Sequence, residues 1–124
     1  MNKTLTLQEF FKSLGFAIQG LKTMLASQRH ARVHAIITLI VCILAIIVGI
    51  SRLEWCLIII AVVSVWTAEA LNTALEFLCD VASPEFHPLV EHAKNVAAGA
   101  VLICAIGSVA IGILVFGPAL LSRI

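Results

Sequence analysis

Three long apolar stretches divide this chain, and each reads as a helix long enough to cross a bilayer. No charged residue lies between Ala35 and Ile50, which predicts a first span over about 33–51, suited to a hydrocarbon core about 30 Å thick. Ser51, Arg52 and Leu53 read as a very short turn. A second span is expected over about 54–80, with Trp55 placed where an interfacial aromatic anchor belongs. Ser83-Pro84 reads as an N-cap followed by proline at the first helical position, opening a short surface helix that Pro88 breaks. A third span follows over about 95–120, fraying at Gly117-Pro118. Ahead of all three, Phe11, Leu14, Ile18, Leu21 and Leu25 recur at spacings of three and four, with Lys12, Gln19, Lys22 and Thr23 around them. That pattern predicts an amphipathic helix over about 5–29, lying in the membrane interface. The expected fold class is an all-α membrane protein: one domain, residues 1–124, with an N-terminal amphipathic helix and three transmembrane helices.

Composition agrees. Hydrophobic residues make up 61% of the 124 positions and charged residues 12%. A small soluble domain buries only about two-thirds of its surface, so lipid must solvate much of this chain. Net charge is +1, which excludes the basic signature of a nucleic-acid binder. The placement of that charge sets the orientation. Lys3, Lys12, Lys22, Arg29, Arg32 and Lys94 fall on one side of the spans; Arg52 and Arg123 fall on the other. The excess of Lys and Arg puts the N-terminus and the 81–94 connection in the cytoplasm and the C-terminus outside. Cys42, Cys56, Cys79 and Cys104 all lie in apolar runs without C-x-x-C spacing and read as packing residues. Ala100, Cys104, Ser108 and Gly112 form a small-residue stripe at i+4 spacing, which lets helices approach closely and suggests self-association.

The chemistry concentrates at the end of the second span. At about 100° per residue, Glu69, Asn72, Thr73, Glu76 and Asp80 fall within roughly a 100° arc, opposite Leu71, Leu75 and Leu78. Glu69 lies roughly 16 Å from Asp80 at a rise of 1.5 Å per residue, inside the hydrocarbon depth. An intramembrane carboxylate costs at least roughly 2.5–3.5 kcal/mol and marks function by default. Grouped carboxylates are hard oxygen ligands for Mg²⁺, and a buried carboxylate can serve as a general base. Lys94, at the same end of the third span, can hold phosphate as a point charge. Phosphoryl transfer and proton-coupled transport both fit this set. Gly15 to Lys22 is not a P-loop, since Gly20-Leu21-Lys22 replaces G-K-[ST] and no strand precedes it. His30 and His34 are four apart, a possible metal pair, but anchoring at the membrane boundary explains them more simply.

The run Glu69-Ala-Leu-Asn-Thr-Ala-Leu-Glu76 followed by Asp80 resembles the E-x-x-N-[ST]-A-[IL]-E-x-x-x-D signature of the small prokaryotic diacylglycerol kinases, a family that includes undecaprenol kinases. Ser83-Pro-Glu-Phe-His-Pro88 and Ala93 to Leu102 resemble the segments that follow there, and the likeness covers nearly the whole chain. The resemblance implies a homotrimer with composite active sites in a prokaryotic inner membrane. It implies transfer of the γ-phosphate of MgATP to a lipid hydroxyl, undecaprenol or diacylglycerol. The wording of the later segments is closer to the undecaprenol branch. Carried over position by position, Glu69 matches the general base, Asn72 a polar residue of the lipid and phosphate site, and Lys94 the phosphate-contacting lysine. Glu76 matches a metal ligand. Lys12, Glu85, His87, Lys94 and Asn95 fall at nucleotide-binding positions.

Two positions depart from the family pattern. Gln28 stands where a second metal-binding glutamate is usual, and Asn95 where aspartate follows the lysine. An amide oxygen can ligate Mg²⁺ but carries no charge to attract it. The alternative function is therefore a weakened or inactive relative that binds lipid and nucleotide without turnover.

Overall fold

The computed structural model describes residues 6–122, so Lys3 and Arg123 of the charge argument lie outside the described residues. Four helices follow in order: α1 (Leu7–Ser27), α2 (Arg29–Val48), α3 (Arg52–Ala82) and α4 (Pro88–Leu121). The last three are long and apolar enough to cross a membrane.

Local chemistry sets each boundary. Thr6 and Glu9 form a capping box at the start of α1. Gln28 alone separates α1 from α2, with extended backbone angles and no side-chain cap of its own. Arg32 Nη1 donates to the carbonyls of Leu25 and Ala26 at 3.0 and 2.9 Å, satisfying the open C-terminus of α1. Arg29 and Arg32 therefore belong to α2, four residues ahead of the expected start. Gly49 ends α2 in the left-handed region at φ 75°. Space around it is open, so Gly49→Ala meets only backbone strain. It is expected to cost about 1 kcal/mol in a denaturant unfolding curve.

Four sequence expectations are corrected here. Ser51 caps α3 in a second capping box with Glu54, so Arg52 and Leu53 are helical and the turn is 49–51. No short surface helix opens at Pro84. Residues 83–87 are bends and extended chain, and the Ser83 hydroxyl donates to the Glu85 carbonyl at 2.9 Å. Three residues between Pro84 and Pro88 are too few to nucleate a helix, and the residue before Pro88 is pushed out of the α region. The N-cap is His87 and the first-turn proline is Pro88, so α4 begins seven residues before the expected third span. Pro118 lies inside α4, which runs on to Leu121. One missing N–H near a helix end is tolerated in a membrane helix.

The chain folds back on itself twice, and α3 packs most extensively on α4. Ala45, Val48, Ile58, Val115 and Phe116 form a core at the 49–51 end, with Trp55 partly buried against it and not held as a purely outward anchor. The Ser108 hydroxyl donates to the Ala61 carbonyl at 3.1 Å, so the small-residue stripe meets α3 within one chain at this point. Among the described residues all four cysteines are free thiols; Cys79 is buried and Cys56 exposed. At 1.5 Å per residue, α3 is about 46 Å long against a core of about 30 Å. The helix is therefore longer than such a core requires, and its polar residues Glu76 and Asp80 lie in its last two turns.

Candidate active site

The polar stripe of α3 is buried in a gradient. Glu69 is 3% exposed, Asn72 and Thr73 are buried, Glu76 is half-buried, and the Asp80 side chain is 67% exposed. Leu71 and Leu78 on the opposite face are open, as the helical arc predicts.

The three carboxylates do not converge. Each meets its own partner. The Glu69 Oε2 lies 3.8 Å from His34 Nε2 on α2. The Glu76 carboxylate accepts from Gln28 Nε2 at 3.2 Å and from Asn72 Nδ2 at 3.4 Å. Asp80 pairs with Lys94 on α4 at 3.3 Å. Both members of that last pair are well exposed, so it adds at most about 1 kcal/mol. Thr73 turns its hydroxyl back to the Glu69 carbonyl at 2.8 Å and leaves the Glu69 carboxylate alone.

The break at Gln28 explains how a residue ahead of α2 reaches α3. Its backbone is extended between two helices, which frees the side chain to cross to Glu76. Both amides turn their NH₂ groups to the Glu76 carboxylate, so their carbonyl oxygens join it as ligands only when the amides rotate. The Asn72 Oδ1 is buried and accepts no hydrogen bond. A buried oxygen without a partner beside a carboxylate fits a hard divalent cation. Rotation of the Gln28 amide would present its oxygen in place of its NH₂. Among the described residues, no three His, Cys, Asp or Glu side chains gather as a metal site, so a cation here would rely on the two amides.

An open cleft of about 240 Å³ lies beside Asp80, between the 83–87 connection and the first turns of α4. Glu85, His87 and Lys94 line it. The His87 Nδ1 accepts from the Leu89 N–H at 3.2 Å as the N-cap of α4, which fixes its ring. Lys12 and Asn95 are exposed and line no part of this cleft, so one chain does not bring them to the rest of the expected set. His34, read from the sequence as an anchor at the membrane boundary, faces Glu69 across the α2–α3 seam, a partnership the sequence reading did not assign.

The chain is similar to proteins of known activity. Residues 15–116 match the family model described as prokaryotic diacylglycerol kinase. The undecaprenol kinase of Bacillus subtilis (strain 168) is 37% identical over 114 residues, covering 92% of this chain and 93% of its own. The diacylglycerol kinase of Haemophilus influenzae is 32% identical over 118 residues, covering 94% of this chain and 100% of its own. That of Escherichia coli (strain K12) is 28% identical over 108 residues, covering 87% and 88%.

Proposed function

This chain belongs to the prokaryotic diacylglycerol kinase family, and from that premise we propose that it transfers the γ-phosphate of MgATP to the hydroxyl of a membrane lipid. The acceptor is undecaprenol or diacylglycerol, with undecaprenol placed first. The observation that carries the reading is the buried Glu69 carboxylate two helical turns from Glu76, whose oxygens are held by Gln28 and Asn72. A base at the edge of the hydrocarbon and an oxygen-rich cluster nearer the water are what a lipid alcohol and a nucleotide phosphate require.

In this reading Glu69 accepts the proton of the lipid hydroxyl, which enters sideways from the bilayer. Glu76 would hold the cation, with the Gln28 and Asn72 oxygens once their amides rotate. Mg²⁺, when bound, neutralises charge on the phosphates. Lys94 exchanges Asp80 for phosphate oxygens, and Glu85 and His87 border the nucleotide. α1 lies in the interface on its Phe11, Leu14, Ile18 and Leu21 face, all of which are exposed in one chain. The N-terminus and the 83–87 connection face the cytoplasm of a prokaryotic inner membrane. The isolation of Lys12 and Asn95 within one chain supports a homotrimer with composite sites, in which a neighbour closes the nucleotide cleft.

Purified protein in mixed micelles with γ-³²P-labelled MgATP is expected to label undecaprenol, and diacylglycerol more slowly when each is offered alone. No label in either lipid would sink the reading. A second reading rests on one contact: the Gln28 amide meets Glu76 where a second carboxylate is usual. It makes the chain a non-catalytic relative that keeps the fold. ATP binding without transfer, together with transfer gained by Gln28→Glu plus Asn95→Asp, would establish it.

A further inference from the structure

A buried base that takes a proton at each turnover must also lose it. Glu69 is 3% exposed, and water reaches it poorly. Among the described residues, His34 is the one basic group within ion-pair distance of its carboxylate, at 3.8 Å. The His34 side chain is 19% exposed and lies within about one turn of the charged start of α2 at Arg29 and Arg32, so its ring joins the buried carboxylate to the polar end of that helix. The other charged groups nearby are engaged elsewhere. Glu76 meets Gln28 and Asn72, Asp80 meets Lys94, and neither α1 nor α4 brings an ion pair to Glu69 or His34 among the described residues.

The seam that holds this pair is fixed one turn away. The Trp66 Nε1 donates to the Thr38 hydroxyl at 3.0 Å, and that hydroxyl donates to the His34 carbonyl at 2.7 Å. Thr38 lies one turn beyond His34 on α2, and Trp66 one turn before Glu69 on α3. The indole thus locks the two helices in the register that sets imidazole against carboxylate. Resting on the lipid-kinase reading, the geometry points to His34 as the proton relay and positioning residue of Glu69.

The step balances as follows. The lipid oxygen bonds to the γ-phosphorus as its O–H bond breaks, and ADP leaves with the electrons of the broken P–O bond. Glu69 takes the proton and passes it to the neutral His34 Nε2, which becomes imidazolium and releases it to interfacial water. A separation of 3.8 Å is too long for a direct hydrogen bond, and a small rotation of the imidazole ring closes it.

The test uses the full-length protein, γ-³²P-MgATP and undecaprenol in mixed micelles. His34→Ala is expected to lower kcat about 10- to 100-fold with KM for ATP and lipid nearly unchanged. Free imidazoles should restore its rate, more strongly as their basicity rises, which a packing role would not produce. His34→Gln keeps a polar group beside Glu69 but carries no proton, and should be as slow as His34→Ala. It also bears the test alone if His34→Ala does not fold. Wild-type rate in either variant, or failure of every imidazole to raise the His34→Ala rate, overturns the relay while wild-type protein still labels lipid. Wild-type protein that labels no lipid overturns the parent reading, and the relay with it.

Discussion

Glu69→Gln is expected to abolish lipid phosphorylation and leave the protein folded. The amide matches the carboxylate in shape, so it fits a site that is 3% exposed. It cannot accept a proton from the lipid hydroxyl. Removal of a general base slows a reaction about 10²- to 10⁴-fold, which corresponds to about 3–5 kcal/mol in the barrier. Stability should not fall with it, because a neutral amide is easier to bury in a bilayer than a carboxylate. Lipid labelling gives the rate, and size-exclusion chromatography in detergent gives the state of the assembly. A labelling rate equal to wild type would remove Glu69 from the base role. A collapsed elution profile would instead make Glu69 a structural residue.

Gln28→Glu is expected to reverse the response of stability to divalent cation. In the present chain, the Gln28 amide donates to the Glu76 carboxylate at 3.2 Å. A hydrogen bond to a charged group contributes about 1.5–3 kcal/mol. The substitution removes that bond and sets two carboxylates together. Like charges 4 Å apart repel by about 4 kcal/mol at an effective dielectric near 20, before the side chains swing apart. A cation between them turns the repulsion into attraction. Thermal melting in EDTA should therefore fall below wild type by several degrees and in Mg²⁺ rise above it. An unchanged melt in EDTA would show that the Gln28 amide does not anchor Glu76. A fall that Mg²⁺ leaves unrepaired would show that no cation binds there.

The spans were legible because lipid demands long uninterrupted apolar runs, and no other element produces them in so short a chain. Their ends were less so. Arg29 and Arg32 looked like flanking charges, yet both are helical, since Arg32 is spent on the carbonyls that α1 leaves open. The S-x-x-E spacing of Ser51 and Glu54 is itself a capping-box signal, and it makes Arg52 and Leu53 helical where a turn is expected. Pro84 and Pro88 offered competing helix starts, and only the length available to each separates them. The stripe on α3 was readable because its members share one helix and one period. Its partners were not, since they come from α2 and the residue before it. The Thr38–Trp66, His34–Glu69 and Gln28–Glu76 contacts join residues nearly equidistant from the 49–51 turn. An antiparallel hairpin puts such residues at one depth, so the register of that turn was the missing signal. Helical periodicity within a single segment does not carry it.

The depth of Glu69 along α3 bears on how the proposed reaction is supplied. The carboxylate lies about 26 Å from the Arg52 end of its helix, short of the about 30 Å thickness of the hydrocarbon layer. A lipid alcohol can meet it only by travelling within the sheet of the membrane, whereas nucleotide arrives through the surrounding volume. The two substrates are then counted in different units: one as a fraction of the surrounding lipid, the other as a bulk concentration. Diluting the acceptor with inert phospholipid should slow the reaction, and adding more vesicles of the same mixture should not speed it.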